Sequence, residues 1–159
     1  MNRDAGFTLI ELMIVLAISG ILASIAVPSF INWQSNQRVI SSSQEILSAM
    51  RIARSTALKN NANVTIQFDT SAESYTVFLD DGTGAGTAKD GIQNGSERTL
   101  KSGDLAGGID LQNTSFADDR VQFDGRGFLD GTAGTVNINS ASSGSKQINV
   151  NISGHSRIL

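Results

Sequence analysis

The chain contains no cysteine. Disulfide staples, thiolate zinc sites and a cysteine nucleophile are therefore excluded. Its cohesion must come from a packed core and from partners. There is one histidine, His155, so a multi-histidine metal site is out of reach and a serine–histidine–acid triad would have to use that side chain. Only Ser153 and Ser156 lie beside it in a strand-like segment, and no spacing singles out an acid, a base and a nucleophile; the chain reads as a non-enzyme needing no cofactor. Neither sign of charge dominates: 12 Lys and Arg against 15 Asp and Glu leave a formal net charge of -3, unlike a nucleic-acid binder that works by bulk charge. Proline occurs once, at Pro28. No repeat of solenoid period appears, and no GxxxxGK[ST] phosphate loop occurs.

What is present is unevenly spread. Hydrophobic residues make up 40% of the 159 and charged residues 17%, a globular composition. A dense apolar block lies near the N-terminus, and the remainder is rich in Gly, Ser, Thr, Asn and Asp. The block runs from Phe7 to Val27, FTLIELMIVLAISGILASIAV, with one charge, Glu11. At ~1.5 Å per residue it reaches roughly 30 Å, the thickness of bilayer hydrocarbon. A secretory signal peptide cut near Ser24-Ile25-Ala26 fits poorly, because Glu11 interrupts the apolar core and Asp4 offsets Arg3 in front of it. An acid at membrane depth costs on the order of 2.5–3.5 kcal/mol or more, so it is kept for a partner. Cleavage between Gly6 and Phe7 would place a new α-amine four positions before Glu11. In a packed array the amine of one subunit can meet the carboxylate of the next, which offsets the burial cost only on assembly.

Beyond Pro28 the pattern stays helical. Val39, Ile46, Met50, Ala53 and Ala57 recur at helical steps, widened by Ile40 and Leu47. Arg51, Arg54 and Lys59 fall near the helix end, where cations suit the macrodipole, and Asn60, Asn61 and Asn63 break the run. A helix from about Phe7 to Asn60 would be roughly 80 Å long. From Val64 the period changes to two: Val64, Ile66 and Phe68, then Tyr75, Val77 and Leu79, joined across Asp69 to Ser74 as a hairpin. Further strands are predicted over Arg98–Lys101, Arg120–Asp124, Thr135–Asn139 and Lys146–Ser153. These form an antiparallel sheet with one apolar face laid on the amphipathic half of the helix, an α+β arrangement.

The run Gly6-Phe7-Thr8-Leu9-Ile10-Glu11-Leu12 resembles the prepilin signature of type IV pilins and type II secretion pseudopilins. The second half, with Phe123-Asp124-Gly125-Arg126-Gly127, Gly131-Thr132 and the closing Gly154-His155-Ser156-Arg157, is similar to the GspH/FimT branch. The resemblance implies a pilin fold and cleavage after Gly6 by a prepilin peptidase. It further implies methylation of the Phe7 amine, an assembly role for Glu11, and Pro28 as the kink that ends the membrane part of the helix. It divides the chain into a removed leader (1–6), a transmembrane part (7–29), an amphipathic half-helix (30–60) and a β-rich domain (61–159). The implied setting is a single-pass inner-membrane protein with a periplasmic domain. It would be built into a pilus or pseudopilus with other pilin or pseudopilin subunits, through an inner-membrane assembly platform. Unlike many major pilins, the chain has no C-terminal cysteine pair. Three roles stay open: a minor subunit acting in filament initiation or at the tip, a major shaft-forming pilin, and a minor pilin that binds DNA for uptake.

Two further residue groups are candidates. Asp80, Asp81, Asp90 and Glu97 offer calcium the hard oxygen ligands it takes, but their spacing departs from an EF-hand loop, and the plainer reading is an acidic loop between strands. Some FimT-type minor pilins bind DNA through a GRxR-like ending. Here His155 stands at the first Arg position, leaving Arg157, with Arg126 and Lys146 as helpers if the fold brings them near. The plainer reading is an edge strand with Arg157 in solvent.

Overall fold

The computed structural model describes residues 7–140 and 144–159. They form two compact units, one reaching to Gln34 and the other spanning Ser35–Leu159. Helix α1, Leu9–Asn60, contributes to both. In the first unit no described residue covers it: Phe7 and every large apolar side chain from Leu9 to Trp33 is at least 51% exposed. Pro28 lies inside α1, where it deletes one backbone hydrogen bond. Close by, the Ser29 hydroxyl donates to the Ile25 carbonyl at 3.2 Å. The helix ends at Asn60, followed by Asn61 in the left-handed region (φ 48), a cap conformation that asparagine tolerates better than most residues.

In the second unit, α1 buries Val39, Ile46, Leu47, Ala49, Met50, Ala53 and Ala57. Two four-stranded antiparallel sheets supply the rest of one core. The first contains β1 (Asn63–Asp69), β2 (Ser74–Asp80), β3 (Thr99–Asp104) and β5 (Arg120–Phe123), in the order β3-β2-β1-β5. The second contains β4 (Ile109–Thr114), β6 (Gly134–Ser140), β7 (Gly144–Val150) and β8 (Ser156–Ile158), in the order β4-β6-β7-β8. Alternation decides the faces. In β6, Val136 and Ile138 are buried while Thr135, Asn137 and Asn139 face outward. The outward amides are linked across strands: Asn137 donates to Asn113 at 2.6 Å and Gln147 to Asn137 at 2.9 Å. The small residues Ala49, Ala53 and Ala57, all fully buried, keep one stripe of the helix narrow where it enters the core. Helix and sheet are also tied by Tyr75, whose hydroxyl donates to Glu45 at 2.8 Å. Burial, with the hydrogen bond and charge of Glu45, holds that phenol well above its usual range, so it stays a neutral donor.

The structure corrects the predicted β-region in three respects. The described residues form two sheets, not one. Strand β4 was not predicted, because only Ile109 and Leu111 are apolar in a segment otherwise made of Asp, Gln, Asn and Thr. The last predicted strand stops at Val150 rather than Ser153. Its apparent third core residue, Ile152, is 61% exposed in a turn, and β8 follows as a separate edge strand.

Candidate functional site

The N-terminal site is built by a helix cap. Gly6, the residue before the expected cut, lies outside the described residues. Thr8 directly precedes α1. Its backbone N–H and its hydroxyl both donate to Glu11 Oε2 at 2.9 Å, and the Glu11 N–H donates to Thr8 Oγ1 at 3.3 Å. This is a reciprocal capping box, which satisfies donors that the first helical turn leaves free. Glu11 Oε1 has no hydrogen-bond partner among the described residues. Thr8 is the capping partner of Glu11 that reading the sequence missed, although the T-x-x-E spacing ahead of an apolar run was in plain view. Chemically, the cap lets a carboxylate sit in an apolar helix with one oxygen satisfied and the other free for a cation.

The second place is the end of the globular unit where α1 meets the turns after β5 and β7. Asp124 organises the first turn. It accepts hydrogen bonds from the backbone N–H groups of Arg126 (3.0 Å) and Phe128 (2.9 Å), and its other oxygen pairs with the Arg126 guanidinium at 2.9 Å. Partial burial alone would raise its pKa, but these bonds and the Arg126 charge outweigh burial and hold it below the usual carboxylate range. Gly127 and Gly154 are both left-handed, at φ +76, and a Cβ on Gly154 would collide with the Gly127 carbonyl oxygen. The same carbonyl accepts the Arg54 Nε–H at 3.0 Å. The two glycine motifs are thus one structural feature, a close crossing of two turns pinned to the helix.

Arg54 Nη1 lies 3.5 Å from His155 Nδ1. His155 and Ser156 line two adjoining cavities, of about 440 Å³ with Asn149, Asn151 and Arg157, and about 320 Å³ with Arg51, Arg54 and Gly154. The fold therefore joins Arg51 and Arg54 of the helix to His155 and Arg157 of the C-terminus. Neither of the two helpers taken from the sequence lines these cavities. Arg126 is held by Asp124. Lys146 shares the inward face of Ile148 and Val150, whereas Arg157 pairs with Asn149 on the other face. His155 faces an arginine, which cannot orient it as a general base.

The acidic loop after β2 is stapled by its own backbone. Asp80, 1% exposed, accepts from the backbone N–H of Lys89 and Gly91 and from the side chains of Thr65 and Gln122. Glu97, 6% exposed, accepts from the N–H groups of Gly82 and Asn94. Asp81 bonds Thr83, and Asp90 bonds Ile92 and Asn94. The four acids serve separate hydrogen-bond roles. Among the described residues no group of three His, Cys, Asp or Glu side chains could hold a metal ion.

A helix that is apolar in its first unit and amphipathic in its second, with two antiparallel sheets closing the core, is the pilin architecture. The chain belongs to the GspH family (type II transport protein GspH), whose model matches residues 42–154, and residues 1–27 match the prokaryotic N-terminal methylation motif. The fold is shared with the minor pilin FimU of Pseudomonas aeruginosa, at a TM-score of 0.61 and 17% identity over 80% of this chain and 92% of that one. It is shared also with the minor pseudopilin EpsH of the type II secretion system of Vibrio cholerae, at a TM-score of 0.54 and 16% identity over 79% and 96%. In sequence the chain is 64% identical to the type IV major pilin PilA of Myxococcus xanthus over 36 residues, 23% of this chain. It is 45% identical to a fimbrial protein of Pseudomonas aeruginosa over 58 residues, 36% of this chain. The chain spans only 16% and 37% of the lengths of those two relatives.

Proposed function

We propose that the chain is a minor pilin or pseudopilin, a structural subunit that acts in the initiation or at the tip of a type IV pilus or type II secretion pseudopilus. The observation that carries this reading is the first unit of α1. Its apolar side chains are uncovered over a membrane-spanning length, and its single acid is held by a cap with one oxygen free. Such a surface needs lipid before assembly and neighbouring helices after it. In this reading residues 1–6 are removed by a prepilin peptidase, and Phe7 is methylated. Residues 7–29 span the inner membrane, and 30–60 with 61–159 stand on the periplasmic side. An assembly platform and other pilin-like subunits are the partners. The C-terminal GspH match favours the minor role over a shaft-forming one. Quantification of sheared filaments tests this: the chain is expected as a trace component whose deletion lowers filament number. Finding it as the dominant subunit would assign it to the shaft.

A second reading, a tip that binds nucleic acid, is favoured by the meeting of Arg51 and Arg54 with His155 and Arg157. Four cationic or protonatable groups on one end supply phosphate contacts, and Arg54 is partly committed to the Gly127 carbonyl. Weak binding is expected in neutral buffer at physiological salt, and stronger binding for His155→Arg, which adds a permanent cation beside Arg157. Arg157→Ala should abolish it. A fluorescence titration at two salt concentrations decides, since contact with several phosphates makes affinity fall steeply with salt. Tight binding that survives both Arg157→Ala and Arg51→Ala would place the nucleic-acid surface elsewhere.

A further inference from the structure

The aromatic pair Phe30 and Trp33 has no role in the core or in either turn. Both side chains are 59% exposed, and their rings stack at a centroid distance of 5.8 Å with a 36° tilt. They stand where the composition of the helix changes. Between Glu11 and Arg38 the sequence carries no charge; the apolar run gives out after Val27, and Asn32, Gln34, Ser35, Asn36 and Gln37 follow. Trp33 is the only tryptophan.

We propose that Phe30 and Trp33 are an interfacial anchor that fixes the depth of the unassembled subunit in a phospholipid bilayer, with the Trp33 indole at the boundary between headgroups and acyl chains. The inference rests on the membrane-spanning reading of α1 and adds where that span ends. If Phe7 to Val27 fills the roughly 30 Å hydrocarbon layer, the headgroup region beyond it is about 5–8 Å deep. Phe30 and Trp33 have their Cα atoms about 4.5 and 9 Å past Val27 along the axis. Helical side chains lean toward the N-terminus, over the preceding turn. The Trp33 ring lies 5.8 Å from that of Phe30, one turn before it, in keeping with this lean. It carries the indole back by several ångströms, into the headgroup layer, with Phe30 at its inner margin. An indole suits that layer, because its ring is apolar and its N–H needs a polar acceptor. A soluble partner would not need the pair to sit at the end of a membrane-length span. A neighbouring subunit would meet it only after the chain has left the bilayer.

The single tryptophan makes the test direct. The full chain is reconstituted into phosphatidylcholine–phosphatidylglycerol vesicles whose lipids carry bromine either near the headgroup or near the chain terminus. Flotation of the chain with the vesicles reads the membrane span. Trp33 emission reads the anchor. The expected result is flotation, emission blue-shifted from that of tryptophan in water, and stronger quenching by shallow than by deep bromines, at all protein-to-lipid ratios. Flotation with water-like emission, open to aqueous iodide and indifferent to bromine, would overturn the anchor and leave the span standing. Deep quenching stronger than shallow would also overturn it, placing Trp33 in the hydrocarbon. A blue shift that appears only at high protein-to-lipid ratio would overturn it in favour of contact with a second copy. Failure to float would remove both the span and the anchor.

Discussion

Glu11→Ala is expected to leave membrane insertion and leader cleavage intact and to remove the chain from filaments. The apolar run becomes more apolar, so insertion is no worse. What is lost has two parts that a pair of variants separates. The capping bonds from Thr8 to Oε2 disappear, at a cost of about 0.5–2 kcal/mol to the first turn. The Phe7 amine of a neighbouring subunit, in the proposed assembly, is left buried without its counter-charge, at roughly 3–5 kcal/mol. The second term is the larger and amounts to a loss of incorporation of roughly a hundredfold or more. Glu11→Gln keeps an acceptor for Thr8, since glutamine serves equally in a capping box, but has no charge. If pairing with the amine governs entry, the glutamine variant fails nearly as badly as alanine. Thr8→Ala, which weakens only the cap, should incorporate at a reduced level. Quantitative blotting of sheared filaments against the membrane fraction reads all three. Normal incorporation of Glu11→Gln would assign the residue to capping alone.

The second large effect is on the globular unit. Gly154→Val is expected to lower its stability by about 2–6 kcal/mol. A β-branched residue at φ +76 is strained by roughly 1–3 kcal/mol. Its Cβ would also press on the Gly127 carbonyl oxygen and on Arg54 Nε, 3.0 Å away, in a site with little room to yield, for roughly another 1–3 kcal/mol. Gly127 cannot retreat easily, because it packs on Leu58 of the helix and is itself left-handed. Thermal unfolding of the full chain in detergent, followed by near-ultraviolet circular dichroism, should show a fall on the order of 10 °C. Gly144→Val is the control. That glycine has a similar φ of +81, but among the described residues its side-chain position is open, so only the backbone term applies and the fall should be smaller. Equal effects at the two positions would mean that the turn crossing adds nothing.

The helix was legible because its signal is long and local. The stripe Val39, Ile46, Met50, Ala53 and Ala57 is buried as its spacing predicts, and the alternation in β1 and β2 marked both strands and the Asp69–Ser74 connection that pairs them. Where the apolar signal is thin, local reading failed. Strand β4 offers two apolar residues, and Ile152 continues the alternation of β7 while the chain has already turned at Asn151 and Gly154. The sites divide in the same way. Glu11 stands out as the one charge in an apolar run. Asp80 in the acidic loop invites a metal reading, and only the fold shows its oxygens taken up by Thr65, Lys89, Gly91 and Gln122, which arrive from four segments. The joining of Arg54 to Gly127 and His155 links residues far apart in the chain. No periodicity encodes it, although the glycines that permit it were visible as motifs.

The claim on which the rest depends is that Phe7 becomes the first residue of a membrane-held subunit. Intact-mass measurement of the chain extracted from membranes that contain a prepilin peptidase tests it most directly. One species is expected, beginning at Phe7 and heavier by a single methyl group on its amine. Gly6→Val should leave the chain uncut, because a branched side chain crowds the peptidase at the bond to be broken. A wild-type species that retains Met1, or one that begins just after Ala26, would contradict it.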